Sequence, residues 1–198
     1  MNVQSVRSLE QQRSEFSQSR FLSMPIAGTI AWTIIGIAGA LVPVGLAAWI
    51  LFICTGMIFM LGMFIARFVG EDLTGRRRNN EFDKLFFQSV LMSWLVFAIA
   101  IPFFMLEPTS LPLSVGILAG LMWLPLSWII QHWVGMFHTF TRTVLVTLAW
   151  FVFPDQRFVV IPAIIVVIYI ITISVLVTRR RPQEEIKSNY DQAQSTNS

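Results

Sequence analysis

Two histidines, an arginine and a pair of acids are the residues of this chain whose types could do chemistry. His132 and His138 stand six residues apart, with Trp133 between them and Arg142 just beyond. Glu71 and Asp72 follow Arg67 at the end of an apolar run. A carboxylate meeting either imidazole would form an acid–base pair. The histidine spacing argues against a helical metal pair, which needs i, i+4 on one face, and a third ligand of suitable type is missing. We read Arg67, Glu71, Asp72, His132, His138 and Arg142 as a candidate polar cluster where apolar segments meet water. No nucleophile elbow, phosphate-binding glycine loop, HExxH or CxxC occurs. The sequence therefore assigns no catalytic residue, metal or cofactor, and the expectation is that the chain is not an enzyme.

The elements that would position these residues are apolar. Of 198 residues 55% are hydrophobic and 13% charged, against about 25% charged in a soluble domain. The charges are gathered in short blocks, and several uncharged runs approach the ~20 residues that cross a hydrocarbon core. A barrel would show alternating segments of about ten residues instead. The fold class expected is all-α, a polytopic membrane protein of six transmembrane helices in one bundle.

We place the spans at about 25–41, 46–68, 85–106, 111–130, 137–153 and 158–177. The domain they form covers 24–178, preceded by a polar cytoplasmic segment 1–23 and followed by a disordered tail 179–198. Residues 1–23 are read as a solvated, partly irregular tail, with a surface helix as the alternative. The small-residue pattern at Ala38-Gly39-Ala40 matches a signal cleavage site, but the long polar lead-in favours a retained first span. Pro43-Gly45, Glu107-Pro108 and Pro154-Asp155 mark reversals.

Six spans put both termini on one side. Assigning that side to the cytoplasm places thirteen basic residues inside and only Arg157 outside, as the positive-inside rule asks. This bias explains the net charge of +3 without a nucleic-acid partner. It also gives the two blocks Arg76-Arg77-Arg78 and Arg179-Arg180-Arg181 an orienting role, with anionic lipid headgroups as their partners. The location expected is the inner (plasma) membrane.

Further candidates lie inside the spans. Gly36 with Ala40, Gly62 with Ala66, and Gly116 with Gly120 each place small residues four apart, which lets helices approach closely. They serve either a bundle's own packing or a contact with a second copy or another membrane protein. Trp49, Trp150, Trp128 and Trp133 fall at the interfaces as an aromatic belt. Trp32, Trp94 and Trp123 fall nearer mid-depth, where they either line an aromatic cavity, with Pro102 and Pro125 bending its walls, or fill gaps. The sequence shows no ionisable group well inside a span.

The runs GMIFMLGMFIARF (Gly56 to Phe68), NEFDKLF (Asn80 to Phe86) and LPLSWII (Leu124 to Ile130) resemble a family of small uncharacterised bacterial multi-pass membrane proteins, known only as a domain of unknown function. The resemblance extends from the second span to the sixth. It implies a bacterial inner membrane and carries no catalytic residues. Two functions remain in view: a bundle that binds itself, a partner membrane protein or lipid, and a small carrier or channel for an uncharged or lipophilic solute. A cavity reaching Trp32, Trp94 or Trp123 and opening to one side would mark the second.

Overall fold

The structure, a computed structural model, describes residues 8–72 and 80–179. Arg76, Arg77, Arg78, Arg180 and Arg181 lie outside the described residues, as does most of the C-terminal tail. Among the described residues the secondary structure is entirely helical.

The first difference from expectation comes at once. Instead of an irregular lead-in, Leu9–Ser17 forms a helix, α1. Ser8 and Gln11 make a reciprocal capping box, Ser8 Oγ accepting from the Gln11 N–H at 3.2 Å and Gln11 Oε1 from the Ser8 N–H at 2.9 Å. Phe16 is buried against Phe21 and Phe86, which docks the helix on the bundle.

Four helical stretches are long and apolar enough to cross a membrane: Ser23–Leu41 (α2), Glu81–Leu106, Pro108–Ile129 and Pro154–Thr178. Val44–Gly56 (α3) and Ile58–Val69 (α4), bent by 48° at Met57, make a fifth when the pair is counted as one span. Glu81–Leu106 is divided into α5 (Glu81–Leu95) and α6 (Phe97–Leu106). Pro108–Ile129 contains α7 (Leu111–Leu118), a 3₁₀ stretch at Ala119–Met122, and α8 (Trp123–Ile129). Pro125 has no N–H to give the turn before it, and that turn is the 3₁₀ stretch. Val134–Val152 forms α9 and Arg157–Thr178 forms α10. At 19 residues α9 is long enough to span, but His138 and Arg142 lower its hydropathy.

The outward faces are apolar. Ile37, Phe64, Ile99, Leu148 and Val167 are all more than half exposed, which is the surface expected of helices that meet lipid.

The bundle's tightest seam joins α2 to α10. A Cβ on Gly28 would fall 2.5 Å from the Tyr169 ring, and one on Gly39 would fall 2.3 Å from the Phe158 carbonyl oxygen. Glycine is required at both because no side chain fits there. Gly36 lies beside Pro162, whereas Ala40 is exposed, so the contact stripe runs through Gly39 and is rotated from the Gly36–Ala40 spacing. Gly62 lies against Met24 and Ala66 is buried in the same α2–α4 contact. Gly116 faces Ile165 and Val146 of α10 and α9.

Polar groups close the end of the bundle that holds α1. Glu71, just past α4, accepts from the Leu22 N–H at 2.8 Å, the Ser23 N–H at 3.1 Å and the Ser23 hydroxyl at 2.6 Å. It thus supplies the N-terminus of α2 with the acceptor that its own cap residue, Leu22, lacks. Arg13 donates to the carbonyls of Ile129 and Trp128 at the end of α8 and lies 4.4 Å over the Trp128 ring. Arg179 donates to the Ser17 and Ser19 carbonyls at 2.8 Å, bringing the end of α10 beside α1.

Candidate functional site

The reversal from α8 to α9 decides where the histidines go. Gln131 takes a left-handed φ of 49°, and the Ser127 hydroxyl bridges the turn by donating to the His132 carbonyl and accepting from the Met136 N–H. A Cβ on Gly135 would fall 2.3 Å from the Trp123 carbonyl oxygen, so α9 starts flush against α8. His132 stays in the turn, where its Nδ1 accepts from the Val134 N–H at 3.3 Å and its ring stacks on Trp133. Burial, reinforced by the Arg179 charge, holds its imidazole below the ordinary histidine range. His138 lies on the buried side of α9.

Because α9 begins at Val134 rather than 137, Arg142 is the ninth of its 19 residues, roughly 12 Å along the axis at about 1.5 Å per residue. This corrects its placement at a helix boundary: it lies in the middle of α9. Arg142 is 1% exposed and His138 0%. The remaining members of the polar cluster are elsewhere: Glu71 caps α2, Arg67 is exposed on the last turn of α4, and Asp72 is half-buried beyond it. Glu71 is therefore engaged with α2 and does not pair with a histidine. The linear spacing could not show this, because all six residues sit near apolar-run boundaries in the sequence.

Around Arg142 the structure assembles three other helices. The guanidinium Nε donates to the Gly116 carbonyl of α7. Nη1 donates to the Tyr169 hydroxyl of α10 at 3.2 Å and lies 3.4 Å from His138 Nε2. The Trp32 ring of α2 and the Tyr169 ring face the guanidinium carbon at 5.3 and 5.5 Å. Room for the aliphatic part comes from Gly120, where a Cβ would stand 2.9 Å from Arg142 Cδ. The remaining nitrogen, Nη2, is buried and has no hydrogen-bond partner among the described residues.

The histidine's role follows from its neighbours. The Thr172 hydroxyl donates to the Ile168 carbonyl at 2.8 Å, so across the 2.9 Å contact it accepts from His138 Nδ1–H. That leaves His138 Nε2 as the acceptor facing Arg142 Nη1. Trp123 stacks on His138 with ring centroids 4.5 Å apart and fixes the imidazole plane. Thr139 donates to the Gly120 carbonyl at 3.1 Å, tying α9 to the 3₁₀ stretch.

Arg142 and Tyr169 form one wall of a cavity of about 60 Å³, room for several waters or part of a small organic molecule. Its other walls come from the interrupted helices. Thr55, Ile58 and Phe59 flank the bend at Met57; Ser93, Trp94 and Phe97 flank the break at Val96; Ala119 and Met122 belong to the 3₁₀ stretch. Trp32 and Trp94 line it, Trp32 buried and Trp94 49% exposed. Trp123 stands behind the wall, supporting His138. The lining is mostly apolar, with the Ser93 and Thr55 hydroxyls donating back to their own helices.

Sequence reasoning missed two members, Tyr169 and the part played by Thr172. A lone tyrosine in the run IVVIYIITI has a hydroxyl that must find a partner once buried. That was the available signal.

No curated protein and no solved structure matches the chain. A family model does match, over residues 9–179, which include α1 and every helix around the cavity. The chain belongs to that family, DUF7010, a family of unknown function.

Proposed function

We propose that this protein is an integral membrane protein of six spans that binds a small ligand at mid-depth, with α9 as the fifth span. The observation that carries this reading is the cavity at three helix interruptions, with Arg142 in its wall. Non-helical backbone at membrane depth is tolerated where it lines a cavity or is buried in protein, and discontinuous helices surround ligand sites in many carriers. An arginine at the centre of a spanning helix costs about 2.5–3.5 kcal/mol on insertion scales, so such residues mark functional sites by default. Small-residue faces that could have served a second copy are instead occupied within the chain, Gly28 and Gly39 by α10 and Gly62 by α2.

The orientation with both termini in the cytoplasm of a bacterial inner membrane is supported by charge. Moving Arg142 out of the loops leaves twelve of the fourteen basic residues on the α1 side and Arg157 alone opposite. Arg179 beside α1 agrees with that arrangement. The basic blocks at 76–78 and 179–181 would then lie against anionic headgroups.

The carrier reading gains from the cavity reaching Trp32 and Trp94, the second of which is half exposed. Native mass spectrometry of the detergent-extracted protein tests the binding that both readings share. The wild type is expected to retain a bound small molecule that Ala119→Phe, which fills the cavity, releases. Equal spectra for the two proteins, each without a bound mass, would overturn it. Uptake of the released compound into proteoliposomes would then separate a carrier from a receptor or lipid-binding bundle.

A further inference from the structure

Resting on the ligand-binding reading, the geometry points to the class of ligand: we infer that the cavity takes a lipophilic carboxylate, its anionic head held by Arg142 Nη2 and the Tyr169 hydroxyl. The guanidinium has five N–H donors, and the protein uses those on Nε and Nη1. Nη2 is buried without an acceptor among the described residues, on a side chain that lines the cavity. The Tyr169 oxygen accepts from Arg142 Nη1, so its own hydrogen is free to donate, and it lines the same cavity. Two donors on side chains that line one cavity match the two oxygens of one carboxylate.

Charge selects the same class. The eight acidic residues of the described segments are Glu10, Glu15, Glu71, Asp72, Glu81, Asp83, Glu107 and Asp155, all on α1, near helix ends or in connections. None is paired with Arg142, whose partners are a carbonyl, a phenol, an imidazole and two rings. A buried cation of this kind is neutralised by an anion of single charge. A dianion would bring a second negative charge with no cation to meet it. His138 does not supply that cation, because Thr172 and Arg142 engage its two nitrogens in the neutral form. The rest of the lining, with Ile58, Phe59, Val90, Phe97, Val115 and Met122, accepts an apolar body.

Tryptophan quenching by 8-bromooctanoate and 8-bromooctanol at pH 8 tests this on the full chain in detergent. Both probes partition into micelles, so the measured quantity is the saturable quenching that octanoate reverses. In the wild type the acid is expected to half-saturate at a concentration at least tenfold lower than the alcohol. Arg142→Gln should remove that preference, and Tyr169→Phe, which deletes only the hydroxyl, should reduce it about threefold. Should Arg142→Gln fail to fold, the Tyr169→Phe result decides. Equal affinities for acid and alcohol in the wild type, a preference that survives these substitutions, or tighter competition by octyl phosphate than by octanoate would overturn the carboxylate assignment. Saturable binding of the alcohol alone would leave the cavity reading standing without it. If neither probe quenches saturably, and Ala119→Phe behaves as wild type, the cavity reading itself has failed.

Discussion

The α1 end of the bundle and its centre use the same kind of side chain for opposite ends. At the α1 end, Arg13 and Arg179 place their guanidinium groups on carbonyls at helix ends, and Glu71 places its carboxylate on the N–H groups that begin α2. Each charge there binds backbone groups at or beside a helix terminus. At the centre, Arg142 meets a carbonyl in mid-chain, a phenol and an imidazole, and still has Nη2 unsatisfied. The first arrangement stabilises the fold. In the proposed binding role, the second holds capacity in reserve at a cost in stability, the usual relation between a site and its scaffold.

Substitutions can break or sharpen that contrast. The largest expected loss of stability is Glu71→Ala, which strands two N–H groups and the Ser23 hydroxyl; about 2–3 kcal/mol is expected for these charge-assisted bonds. Thermal unfolding in detergent, followed by circular dichroism, measures it. An unchanged midpoint would show that water replaces the carboxylate and that the cap is not structural.

Next comes Gly120→Ala. Its Cβ would press on Arg142 Cδ, and overpacking of this kind costs about 1–3 kcal/mol. Because the guanidinium must move, ligand retention by native mass spectrometry is expected to fall further than stability does. Retention at the wild-type level would separate Gly120 from the site.

A smaller and more telling effect is expected from Arg142→Met. Losing three donated bonds is offset by removing an unpaired buried charge, and apolar replacements of buried ions are often neutral or stabilising. The unfolding midpoint should correspond to a change within about 1 kcal/mol, or rise, while binding is lost. A loss as large as that of Glu71→Ala would mean that Arg142 is scaffold like Arg13, and the contrast between the two regions would collapse.

The smallest effect is one of pH. His132 is held below the ordinary histidine range by burial and by Arg179, so the folded state resists its protonation. Stability is then complete above the unfolded value, about 6.5, and declines as pH falls below it, because the unfolded chain takes up the proton first. Protonation would also remove the Nδ1 acceptor of the Val134 N–H. His132→Gln should flatten this part of the pH profile, read from unfolding midpoints between pH 8 and 5.

Much of the architecture is local in origin and was legible in the residues. Long uncharged runs have no way to satisfy their backbone in lipid except as helices, so α2, the bent α3–α4 pair, α5–α6, α7–α8 and α10 follow from composition and from the prolines and glycines between them. The assembly of Trp32 and Trp94 around a cavity is one of two outcomes the residues allow, because a tryptophan at mid-depth serves a cavity or a filled core equally well until its neighbours are known. What tertiary structure decided was the position of a charge. Arg142 reads as a boundary residue because hydropathy averages over a window, and only the tight α8–α9 turn through Gln131 shows that its helix starts three residues earlier. Its environment comes from Gly116 and Gly120 of α7 and the 3₁₀ stretch, Trp32 of α2 and Tyr169 of α10, residues separated by up to 137 positions. No spacing rule reaches that far, and a guanidinium left with one nitrogen unsatisfied is visible only when every neighbour is in place.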